Sequence, residues 1–156
     1  MFQRWVFGNA SNSCVPMPLN HGEVAFSCFG LVECSDDAWL RLAPGLVRIP
    51  DVSFVSFERL PERKVPREPI ARLVPDLAVE VLSASNTHQE MERKLRDYFT
   101  AGVRLVWFVD PPARTVTVFT APEQSRLLHE SDVLDGGEVL PGFTLPLVEL
   151  FAEPGT

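Results

Sequence analysis

The run "VRLVWFVD" (residues 103–110) is almost continuously apolar, the pattern of a strand buried on both faces. A second buried strand is expected over about 76–83, in "PDLAVEVLSASN", where Leu77, Val79, Val81 and Leu82 surround Glu80. Between the two lies "NTHQEMERKLRDYFTAG", which carries helix boundaries at both ends. Thr87 and Glu90 have the spacing of a capping box, and Gly102 stands where a C-cap glycine belongs. "RTVTVFT" (114–120) alternates and follows the Pro111-Pro112 turn, so it is expected to form a hairpin with the preceding strand. "SRLLHES" reads as a further strand, Gly136-Gly137 as a turn, and "LPGFTLPLVELF" as a short apolar closing element ending in a helical turn.

Upstream the pattern is weaker. "LVRIPDVSFVS" (46–56) reads as a strand whose Pro50 suits a bulge or an edge, and residues 57–75 as a loop with four prolines. "NHGEVAFSCFGLVE" (20–33) has an ambiguous period. We read it as a helix of weak propensity, opposed by Gly30 and its β-branched residues. Strand, helix, strand, strand in that order defines an α/β (α+β) sheet domain. The expected organisation is an irregular segment at 1–20, one domain at 21–151 and a tail at 152–156.

Composition changes this picture little. The chain of 156 residues, 46% apolar and 22% charged, is ordinary for one soluble globular domain. No apolar run nears membrane-spanning length, and the opening "MFQRWVFGNASNSCVPM" lacks the apolar core of a signal peptide, so a cytoplasmic protein with no membrane contact is expected. Cys14, Cys28 and Cys34 form no C-x-x-C pair, and His21, His88 and His129 are scattered, which argues against a structural zinc site. Net charge is −7, and the basic stretch "ERLPERKVPRE" is interleaved with acids and prolines, as in a solvated loop. This lowers the odds of sequence-independent nucleic-acid binding without excluding it, because bound cations neutralise an acidic site.

Glu80 carries the chemical question. A carboxylate in a buried strand is costly unless it is paired, hydrogen-bonded or metal-bound. On the following helix, Met91, Leu95 and Tyr98 share one stripe with Phe99 at one edge and Lys94 at the other, while Glu92, Arg93, Arg96 and Asp97 take the outer faces. By itself Lys94 reads as a snorkelling lysine with its stem on the core. Asp51 opens a strand in the same apolar company as Glu80, although a turn-end Asp after Pro50 is a common structural feature. Two acids on strands and a lysine on a packed helix are together the parts of metal-dependent phosphodiester hydrolysis.

The blocks "PDVSFVSFERLP", "PDLAVEVLSASN", "ERKLRDYFTAGVRLVWFVDP" and "VLPGFTLPLVELF", in this order over roughly residues 46–151, resemble the Uma2 family, formerly domain of unknown function 820. That family belongs to the PD-(D/E)xK, or restriction-endonuclease-like, nuclease superfamily. The resemblance implies a restriction-endonuclease-like core, a central mixed β-sheet flanked by helices, with the N-terminal part shortened. It implies Asp51 and Glu80 as the acids and Mg²⁺ or Mn²⁺ as cofactor, held by Asp51, Glu80 and the backbone carbonyl of Val81. The superfamily lysine falls two residues after the second acid, where this chain has Leu82. The resemblance points instead to Lys94 on the following helix, with Tyr98 one turn later, and to Glu23 as an accessory acid from a first helix. Ser83, Ser85 and Asn86 are read as closing the strand and capping the helix.

Three functions follow as expectations. The first is a metal-dependent DNA endonuclease, for which a homodimer would suit cutting of two strands. The second is a catalytically silent member of the fold acting as an interaction or dimerisation module, with Glu80 paired to Lys94 or an arginine. The third is a phosphohydrolase acting on a small nucleotide, which would need a closed pocket.

Overall fold

The structure, a computed structural model, describes the backbone of residues 23–26, 30–34, 40–63 and 72–152, with the side chains of 40–62 and 72–152. The expected irregular segment at 1–20 lies outside the described residues. Seven strands form one sheet, β1 (Glu23–Phe26), β2 (Gly30–Cys34), β5 (Val52–Ser56), β6 (Leu77–Val81), β7 (Leu105–Asp110), β8 (Thr115–Ala121) and β9 (Gln124–His129), side by side in that order. Two hairpins complete the strands: β3 (Leu40–Ala43) with β4 (Leu46–Arg48), and β10 (Val133–Gly136) with β11 (Leu140–Pro146).

Every neighbouring pair in the large sheet is antiparallel except β6 and β7. Parallel strands require a crossover, and α1 (His88–Ala101) supplies it. The helix starts and stops where the sequence signals it. Thr87 Oγ1 accepts the Glu90 N–H at 3.2 Å, and Gly102 takes a left-handed conformation, φ 100°, that lets its N–H reach the last-turn carbonyls. Ser83, Ser85 and Asn86 do not cap it: Asn86 Oδ1 turns back to accept the Ser83 N–H at 2.8 Å, closing a separate turn.

Alternation along β6 and β7 divides the core into two layers. Leu77, Val79, Leu105, Trp107 and Val109 face the β10–β11 hairpin and the short helix α2 (Leu147–Leu150), where Phe143, Leu147 and Phe151 close over them as expected. Ala78, Val106 and Phe108 face α1, through Met91, Leu95 and Tyr98, and the β3–β4 hairpin, through Leu40 and Leu42. The mixed sheet is thus flanked by the one long helix of the described residues on one side and by a hairpin with a four-residue helix on the other.

Two further expectations are corrected. Of the stretch read as a helix over 20–33, the described residues 23–26 and 30–33 are strand, in β1 and β2, paired from Glu23↔Cys34 to Phe26↔Leu31. The β-branched and aromatic content there outweighs a helical period that Gly30 already weakened. The strand read over 46–56 is two strands, because the chain leaves β4 at Arg48, passes Ile49 and Pro50, and enters the large sheet only at Val52. Proline offers no N–H to a ladder, and the break falls beside it.

A buried ionic knot fixes the start of β6. Asp76 accepts the Ser56 N–H at 2.8 Å and pairs with Arg59 Nε at 2.9 Å, with Arg104 3.7 Å away. Arg59 also donates to the Gly102 carbonyl at 3.0 and 3.1 Å, so the turn after β5, the head of β6 and the end of α1 are tied together. Asp76→Ala leaves a buried N–H and a guanidinium without their acceptor. Urea denaturation should show a loss of about 3 kcal/mol, with the far-ultraviolet circular dichroism spectrum retained.

Candidate active site

The β5–β6 register brings the two sequence-predicted acids together. Val52 lies opposite Val79 and Ser53 opposite Ala78. One further step sets Asp51 across from Glu80, on the face of the sheet that α1 covers. The step is fixed by a hydrogen bond: Asp51 Oδ2 accepts the Val81 N–H at 2.6 Å. Asp51 precedes β5, so at this step its side chain meets the β6 backbone.

Glu80 is 4% exposed, and α1 supplies both of its partners. Lys94 Nζ donates to Oε2 at 2.8 Å, and Tyr98 Oη donates to Oε1 at 2.5 Å. Lys94 and Tyr98 are four residues apart, so one helical face presents both donors to one carboxylate. Even so, desolvation dominates and holds the Glu80 pKa above its ordinary 4.5, the two donors and the Lys94 charge opposing this and the nearby Asp51 charge adding to it. Burial, together with the Glu80 charge and hydrogen bond, pushes the Tyr98 phenol up, so it stays protonated as a donor.

The donors available to a cation are hard oxygens: the Asp51 and Glu80 carboxylates and the Val81 carbonyl. Among the described residues no group of three or more His, Cys, Asp or Glu gathers into a metal cluster. Two carboxylates suit Mg²⁺, which keeps several waters and takes further oxygens from a substrate phosphate, better than they suit Ca²⁺ or Zn²⁺. Asp51 and Glu80 face each other across the two strands, Asp51 holding the Val81 N–H and Glu80 the Lys94 and Tyr98 donors, so a divalent cation would find two carboxylates side by side. Glu23 opens β1, an edge strand separated from β6 by β2 and β5, and not the helix expected for it. Its side chain lies outside the described residues.

Two residues of this neighbourhood escaped the sequence reading. Arg48, the last residue of β4, donates from Nη2 to Asp97 Oδ2 on α1. Its charge is felt at the Tyr98 phenol. Asp97, read as an outer-face residue, is half-buried by that contact, whereas Glu92, Arg93 and Arg96 are exposed as expected. Helical spacing could not reveal this, because the partner arrives from a hairpin on a different part of the chain. A cavity of about 570 Å³, lined by Leu105, Val118, Thr120 and Arg126 among others, opens on the opposite, hairpin side of the sheet. It has no part in the site.

Residues 25–148 match the family described as "Uma2: Putative restriction endonuclease", and the chain belongs to that family. A crystal structure of "a putative nuclease belonging to DUF820 from Anabaena variabilis" superposes with a TM-score of 0.62 at 19% identity, over 74% of this chain. The fold is therefore the nuclease-like fold of that protein, and this chain spans 65% of its length. No curated protein matches the chain. No helix among the described residues is long and apolar enough to cross a membrane.

Folding raises the Glu80 pKa, so between 4.5 and the raised value the native state holds a proton that the unfolded chain has released. The Glu80 contribution to stability therefore falls as pH climbs through that interval and stays low above it. Glu80→Gln should remove this part of the pH dependence. Denaturant titrations of both proteins from pH 4 to pH 8 check it.

Proposed function

We propose that this protein is a metal-dependent endonuclease that hydrolyses phosphodiester bonds of DNA. The observation that carries the reading is the convergence of Asp51, Glu80 and Lys94: a cross-strand carboxylate pair fixed by the Asp51–Val81 hydrogen bond, with the lysine 2.8 Å from the buried acid. The family description and the name of the structural neighbour support a nuclease. DNA as substrate and the whole activity are part of the proposal, the more so because the chain spans 65% of that neighbour.

Asp51, Glu80 and the Val81 carbonyl would hold Mg²⁺ or Mn²⁺. The bound ion supplies activation of a water nucleophile and neutralisation of charge on the phosphate. Tyr98 holds the Glu80 carboxylate in one orientation, and α1 closes the inner face of the site to bulk water. Lys94, whose side chain reaches the surface while its ammonium rests on Glu80, is the group that positions the attacking water and meets the phosphate. A second reading, a catalytically silent interaction module, is favoured by one observation: Lys94 and Tyr98 already satisfy both oxygens of Glu80.

Calorimetric titration with Mn²⁺ separates the two. The wild type should bind, and Glu80→Gln should not, with folding confirmed by circular dichroism. Cleavage of plasmid DNA should require Mg²⁺ or Mn²⁺, stop on chelation, and fall by about a hundredfold or more in Asp51→Asn and Lys94→Met. A well-folded wild type that binds no metal leaves only the silent module.

A further inference from the structure

Both oxygens of Glu80 are taken by its own chain. Lys94 Nζ donates to Oε2 at 2.8 Å and Tyr98 Oη to Oε1 at 2.5 Å, around a residue that is 4% exposed. A divalent cation brought to this carboxylate meets an ammonium already on it, and burial leaves little water to screen the two positive charges from each other. One donor has to give way. Tyr98 is fully buried in the layer between α1 and the sheet, so its ring has nowhere to go. The Lys94 side chain is 21% exposed, and its flexible stem can swing outward without opening the core.

The helix narrows where the ammonium can go. Helical spacing puts two carboxylates within reach of Lys94 along α1, Glu90 four residues before it and Asp97 three residues after it. Asp97 is held by Arg48. Glu90 gives its N–H to Thr87, while its carboxylate has no partner among the described residues. Left to itself Lys94 chooses Glu80 over Glu90, because a buried carboxylate gains more from a partner than a hydrated one does. A glutamate four residues before a lysine is also the favourable order for a helical pair. The helix starts soon after β6 ends, so Glu90 lies one turn nearer than Lys94 to the C-terminal end of that strand.

We infer that Glu90 is a positioning residue acting through Lys94: the lysine gives up Glu80 when a divalent cation takes that carboxylate, and Glu90 receives the ammonium one turn closer to the end of the strand. The inference rests on the proposed metal site and deepens it. Lys94 then has two opposed duties. It competes with the cation for Glu80, and once displaced it meets the phosphate. Losing Lys94 should therefore tighten metal binding while it abolishes cleavage.

The chain holds two lysines, Lys64 and Lys94, so lysine-selective labelling gives NMR signals that Lys94→Met assigns. Mg²⁺ alone is titrated into the folded whole chain, with Mn²⁺ affinity measured by calorimetry and crystals compared before and after soaking in Mn²⁺. The Lys94 side-chain signal should move with Mg²⁺, and soaked crystals should place Nζ on Glu90. Lys94→Met should bind Mn²⁺ at least about tenfold more tightly than the wild type. Glu90→Gln should weaken Mn²⁺ binding about twofold in the wild-type background and have no effect in Lys94→Met. That comparison separates a receiver from a plain charge, since a carboxylate that only attracts the cation matters equally in both backgrounds.

A lysine that remains on Glu80 beside bound Mn²⁺, or that leaves without taking Glu90, overturns the inference. So does a Lys94→Met protein that binds no more tightly than the wild type. If Lys94→Met does not fold, the position of Nζ in wild-type crystals with and without Mn²⁺ decides. No binding by either protein removes the metal site and this inference with it, whereas binding with Lys94 unmoved overturns this inference alone.

Discussion

A carboxylate buried between a sheet and a helix must find its compensation where it sits, and in this protein that need organises the region around β6. Glu80 is almost fully buried, so a lysine and a tyrosine from α1 come to it, and an aspartate just before β5 stands across from it. Those demands fix the rotation of α1 on the sheet, because Lys94 and Tyr98 must both face down. They fix the β5–β6 register too, since a one-residue slip would carry Asp51 to the other face.

The two ends of β6 are held by different means. At its head, Asp76 gathers Arg59 and Arg104 into a knot that also grips the end of α1. At its tail, Asp51 is latched to the Val81 N–H. Between them the strand is part of a parallel pair, with hydrophobic layers on both faces. The candidate site lies at the C-terminal end of a parallel strand, against the middle of the crossover helix, near the strand ends where open α/β sheets leave room for a ligand. Structural anchoring and candidate chemistry thus occupy opposite ends of one strand.

Local pattern was a sound guide where it repeated over several turns or a full strand. α1 showed its caps and its stripe of Met91, Leu95 and Tyr98, and β7 showed itself as a two-sided buried run. The pattern misled where a few residues balanced two periods. Residues 20–33 carry apolar positions compatible with a helix, and only pairing with β5 and with each other resolves 23–26 and 30–33 as strands. The split of 46–56 turns on Pro50, whose presence was visible but whose effect, two strands in two different sheets, depends on what lies next to each half.

The amino-acid sequence by itself determined the crossover unit, the buried charge at Glu80 and the helix face that carries Lys94 and Tyr98, because each is written in short-range spacing, and its ordered blocks carried the resemblance to the family. The tertiary structure decided which carboxylate Lys94 meets, that Asp51 stands opposite Glu80, and that Arg48 of a separate hairpin takes Asp97. Those are contacts between residues 14 to 49 positions apart. Helical or strand periodicity says which way a side chain faces, and only the packing of distant elements says what waits there.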